Sequence, residues 1–97
     1  MPQTYNGYTN YETWNFKFWL DNEEATYYYF RNRCQELANE TEDRDGAISA
    51  LVYDLKEYAE ENAPDLPPSC YKDLLMNALQ RINFDEVATA IYDDNSK

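Results

Sequence analysis

Asp54, Glu57 and Glu61 recur at i, i+3 and i+7, a spacing that sets three carboxylates in a row along one helix face. Neighbours in such a row stand roughly 5–6 Å apart, the scale that separates successive phosphates on a nucleic-acid strand. The chemistry open to them is attraction of cations, and a rigid row can occupy a groove that another protein keeps for phosphates. Glu36, Glu40, Glu42, Asp43, Asp45 and Glu60 extend the acidic surface, and Tyr29 and Tyr53 stand beside it as aromatic anchors. These eleven residues are the candidate partner-binding set.

Other chemistry is poorly served. The 97 residues include no histidine, which removes the commonest general base and metal ligand together. Two glycines cannot build a phosphate-cradling loop. Cys34 and Cys70 are too far apart for a CxxC motif and have no histidine to activate a thiolate. Both are expected as buried free thiols. Asp43-Arg44-Asp45-Gly46 is only a fragment of a calcium loop. Glu23-Glu24 and Glu60-Glu61 are pairs of the kind that helix ends and solvated faces carry. The expectation is a protein that is not an enzyme and takes no cofactor or metal.

The net charge of −11 is unevenly spread. Residues 36–65 hold ten acids against Arg44 and Lys56, whereas residues 1–35 hold four acids and three bases. Self-repulsion in the middle third opposes folding and favours contact with a basic surface. Eight dispersed bases cannot track a phosphate backbone or an anionic membrane, so direct nucleic-acid and lipid binding are disfavoured. A 43 % hydrophobic, 16 % aromatic composition is enough for one folded domain rather than an acidic disordered tail. Residues 1–10 lack the basic and apolar regions of a signal peptide, and cytoplasmic location is the default.

The elements that must position the acids are helical. Thr9 with Glu12 has capping-box spacing, and Tyr11, Trp14 and Phe18 then share one face while Phe16 and Leu20 point elsewhere. Asp21 to Glu24 reads as a break. Tyr27, Phe30, Cys34 and Leu37 form the inward stripe of a second helix, with Tyr29 opposite. After a polar loop over 39–46, Ile48, Leu51, Val52, Leu55, Tyr58 and Ala59 mark a third. Pro64, Pro67 and Pro68 enforce an extended connector. Ser69 caps a fourth helix bearing Tyr71, Leu74, Leu75, Ala78, Leu79 and Ile82. Asn83 with Glu86 opens a fifth through Val87, Ala88 and Ile91. The expected architecture is all-α: a compact bundle of four to five short helices over 10–92, after an extended arm (1–9) and before a frayed tail (93–97).

Asn10-Tyr11-Glu12-Thr13-Trp14-Asn15, inside a run from Gly7 to Glu23, resembles the opening signature of small proteins carried by phages, plasmids and bacteria. The resemblance covers about a fifth of the chain and carries no catalytic residues with it. It implies a mobile-element setting, in which small acidic proteins are often similar to inhibitors of host defence such as anti-CRISPR and anti-restriction DNA mimics. The motif itself reads either as a capped helix start with a core tryptophan or as a binding site. The leading expectation is an acidic inhibitor of a protein with a basic groove, such as a CRISPR effector or another DNA-binding protein. The alternative is an assembly module of a mobile element that homodimerises through the aromatics of helix 1.

Overall fold

Asn10, in extended backbone, starts the first helix by accepting the Thr13 backbone N–H on its Oδ1 at 2.9 Å. The computed structural model describes residues 5–41 and 43–95. Five helices follow in order: α1 (Tyr11–Asn22), α2 (Glu24–Glu40), α3 (Arg44–Asn62), α4 (Cys70–Arg81) and α5 (Phe84–Asn95). The all-α bundle expected from periodicity is what forms.

The caps explain the boundaries. The Asp43 and Ser69 side chains accept backbone N–H groups at the starts of α3 and α4, and Asn83 Oδ1 accepts the Glu86 N–H at 3.1 Å at the start of α5. Residues 63–69, with their three prolines, form the non-helical connector. Thr9 does not cap α1; its N–H and hydroxyl donate to the Glu86 carboxylate at 2.7 and 3.1 Å. The capping-box match with Glu12 fails because Asn10 is one residue nearer and Glu12 is drawn to Arg81.

α3 and α5 form the most extensive helix pair, with α2 packed on both. Their shared core holds Leu51, Leu55, Val87 and Ala88 fully buried, joined by Phe30, Cys34, Leu37, Ala47, Ile48 and Ile91. Small side chains at 47 and 88 let the backbones approach closely. α1 lies on α2, α4 and α5 and inserts Leu20 and the half-buried Phe16. Lys17 is buried too, and its ammonium donates to Asp21 Oδ2 at 2.6 Å, with Asp94 at 4.0 Å. A cation withdrawn from water requires such a counter-charge.

Several expectations are corrected. The N-terminal arm is not extended where described: Tyr5 and Tyr8 exchange backbone hydrogen bonds of 2.8 Å around Asn6 (φ 48°) and Gly7 (φ 90°). Positive φ at both central residues is the type I′ condition, and Asn-Gly satisfies it at least steric cost. The loop after α2 is shorter than 39–46, since both flanking helices extend into that stretch. Tyr27 is exposed while its stripe-mates Phe30, Cys34 and Leu37 are buried, because α2 begins at Glu24 and its first turn overhangs the core. Cys70 is exposed at the start of α4, so only Cys34 is a buried thiol. α5 continues to Asn95, held by Arg44 to Asp93 at 2.9 Å and by the Asn95 side chain on the Ile91 carbonyl, which shortens the expected frayed tail. α4 is amphipathic in sequence yet contains no buried residue; Tyr71 and Leu74 are 72 % and 64 % exposed.

Candidate protein-binding surface

α2 and α3 run antiparallel, so the first turns of α2 lie beside the last turns of α3. This brings Tyr29 to Asp54, Glu57 and Glu61 around a groove of about 360 Å³, with Ala25, Thr26, Phe30 and Tyr58 completing it. Aromatic rings face the cleft from both helices, and carboxylates rim it on the α3 side. Phe30 packs edge-on against Tyr58 at 5.7 Å between centroids, which stiffens the floor.

The carboxylates are not equivalent. Arg33 Nε donates to Asp54 Oδ2 at 2.7 Å and Nη1 reaches Glu36 Oε2 at 3.4 Å, so one guanidinium ties both acids down across the α2–α3 seam. Asp54 is therefore a partly buried ion-pair partner as well as a member of the row. Glu57 accepts the Tyr53 hydroxyl at 2.8 Å, and that hydrogen bond, with the carboxylate charge, raises the Tyr53 phenol above its ordinary value. Glu57 and Glu61 have no cationic partner among the described residues. The groove thus presents two unneutralised carboxylates beside exposed phenols, an arrangement suited to an arginine or lysine side chain with its apolar stem on the rings.

The remaining candidates sit elsewhere. Glu60 borders a different groove, between α3 and α4, with Lys56, Met76, Leu79 and Phe84. Asp43 and Asp45 belong to the start of α3, roughly 27 Å from Glu61 at 1.5 Å per residue; Asp43 Oδ1 accepts the Asp45 N–H at 3.1 Å, which is a capping role. Glu40 is the exposed last residue of α2. Glu42 lies outside the described residues. The acidic set is therefore a groove-centred cluster (Tyr29, Tyr53, Asp54, Glu57, Glu61, with Glu36 linked through Arg33) plus separate acids at the helix ends. Arg33 was not among the candidates. Its i, i+3 spacing to Glu36 is visible in sequence, but the bond to Asp54 depends on the helix pairing.

The Asn-Tyr-Glu-Thr-Trp-Asn segment does structural work of its own. Thr13 is fully buried; its hydroxyl donates to Asn10 Oδ1 at 2.6 Å and accepts the Asn83 N–H at 2.9 Å. Asn10 Nδ2 donates to the Arg81 carbonyl at 2.8 Å, and Arg81 Nε to Glu12 at 3.2 Å. With Thr9 on Glu86, these bonds clasp the start of α1 to the α4–α5 junction. Asn10, Glu12 and Thr13 of the motif are thus absorbed by the fold, as the capped-helix reading expects. Its aromatic members differ from that reading: Trp14 is only half-buried, in an outward band with Tyr5, Tyr11 and Phe18 whose successive centroids are 4.9–5.8 Å apart.

No helix among the described residues is long and apolar enough to cross a membrane. Comparison with curated proteins and with solved structures finds no match. A family model matches residues 1–96, nearly the whole chain, and therefore its clasp, its groove and its aromatic band alike. The chain belongs to a family of unknown function, DUF7249.

Proposed function

We propose that this protein binds, and by binding inhibits, a protein whose basic groove receives nucleic acid, using the α2–α3 groove and its carboxylates as the contact. The observation that carries the reading is the pairing of unneutralised Glu57 and Glu61 with exposed Tyr29 and Tyr53 on one rigid helix pair. Acidic rows alone serve solubility in most proteins. Adjoining aromatic surface supplies the contact area that charge does not, and the stiff α3 fixes the spacing of the carboxylates. Electrostatic complementarity of this kind speeds encounter with a basic partner and selects against acidic ones. A CRISPR effector or another DNA-binding protein has the required basic groove.

The test is capture of binding proteins from a bacterial host lysate by the wild-type chain and by a Glu57→Lys/Glu61→Lys variant, at low and high salt. A captured protein is then assayed for DNA binding with and without the chain. Asp54 is left intact because its loss would also strand Arg33. The expected result is capture that falls at least about tenfold on charge reversal and weakens as salt rises, together with competition against DNA. Capture indifferent to both salt and charge reversal would show the reading to be wrong.

A further inference from the structure

Tyr11, Trp14 and Phe18 project from α1 on the side opposite Thr13, Phe16 and Leu20, and Tyr5 folds over the first of them through the Asn6-Gly7 turn. Trp19 continues the band, edge-on to Phe18 at 6.0 Å. Tyr5, Tyr11, Phe18 and Trp19 are 40–56 % exposed. We infer that this aromatic face of α1 is a self-association surface, through which two copies of the chain pair symmetrically.

Charge selects the second copy as the occupant. At a net charge of −11, two copies repel over most of their surface. On α1 that obstacle is removed, because Glu12 is paired with Arg81 and Asp21 with the buried Lys17. An uncharged aromatic face is complementary to itself under a two-fold axis, where each residue meets its counterpart region without like-charge contact. A basic partner would gain nothing here that the α2–α3 groove does not offer better.

Area sets the strength. Four rings at this exposure contribute about 400 Å² per copy, taking ~150–250 Å² for a whole aromatic side chain. A standard interface takes ~800 Å² from each partner, so the four rings supply about half of that, and Asn15 and Asn22 add polar surface on the same side of α1. Area alone does not fix affinity, but with like-charge repulsion to overcome, a dissociation constant in the micromolar range is the expected outcome. The acid groove stays free in it, because α1 contributes no residue to that groove. A pair of chains then offers two acidic grooves at once, which raises avidity for a partner with two basic sites. Pairing itself does not depend on the acidic-groove reading.

Sedimentation equilibrium of the full chain, from ~1 to several hundred micromolar, tests this at low and high salt. Mass should rise from 11.5 kDa towards twice that value, more readily at high salt, where repulsion is screened. Trp14 and Trp19 are the only tryptophans, so their fluorescence should shift to shorter wavelength over the same concentrations. Trp19→Lys and, separately, Phe18→Lys should raise the dissociation constant at least about tenfold, with unchanged circular dichroism as the folding control. Tyr71→Ala, an exposed aromatic on α4, should leave it unaltered. A mass of 11.5 kDa throughout overturns the inference, as does a dimer that survives both lysine variants or dissolves in high salt. The acidic-groove reading predicts the opposite salt dependence and is tested through Glu57 and Glu61, which lie outside α1, so the two failures are distinguishable.

Discussion

At the scale of single residues, Thr13 is the most informative. A hydroxyl with no solvent exposure donates to Asn10 and accepts from Asn83, seventy positions away. Thr13→Val keeps the shape and strands the Asn83 N–H, so it should cost ~1–3 kcal/mol in urea unfolding, whereas Thr13→Ser should cost less. The two thiols offer a second contrast. Burial pushes Cys34 above its ordinary value, while Cys70 is exposed. A thiol reagent at neutral pH should label one cysteine at once and the other only on the timescale of opening. Because the folded state keeps the Cys34 proton longer than the unfolded chain does, its stabilising share is intact below the ordinary thiol range and is lost as pH rises through the folded value. Burial raises Tyr58 above the ordinary phenol range as well, so alkaline pH should lower the melting temperature progressively.

At the scale of elements, the helices differ in how firmly they are held. α3 and α5 share most of the buried side chains, whereas α4 buries none and packs chiefly on α1. Hydrogen exchange should therefore open α4 well before α3 and α5, with its slowest amides exchanging faster than those around Leu51, Leu55 and Val87. Uniform protection across all five helices would contradict that order. Periodicity and punctuation in the sequence locate the helices well, because Asp21–Glu24, the three prolines, Ser69 and Asn83 act locally. Burial is less legible. Leu74 and Phe30 are both apolar residues at helical spacing, and only the tertiary arrangement leaves the first in solvent and the second in the core. The carboxylate row is similarly half-readable: its spacing is local, but the neutralisation of Asp54 by Arg33 comes from a different helix. The turn at Tyr5–Tyr8 was available locally, in Asn6-Gly7, and the extended reading of the arm passed over it.

At the scale of the whole molecule, charge and apolar surface are segregated. Among the described residues four bases are committed to ion pairs, at Lys17, Arg33, Arg44 and Arg81, and these are far outnumbered by the carboxylates there. Repulsion among them falls as ionic strength rises, so the melting temperature should climb between low and physiological salt. A melting temperature that fell with salt would mean that the ion pairs outweigh the repulsion. Different helices carry the two surfaces: the acid groove lies between α2 and α3, and the aromatic band on the outer side of α1. The helices therefore present two faces of opposite character, one acidic and one aromatic.

The clasp between Thr9–Thr13 and Arg81–Glu86 also bears on the order of events during synthesis. α1 is anchored by residues that are made about seventy positions after it. Until α5 emerges, α1 has α2 to lean on but no partner for Thr9, Asn10 or Thr13, and its rings remain open to other nascent chains. The growing polypeptide thus holds its aromatic segment unsecured until α5 has been made, and closure of the clasp waits on that helix.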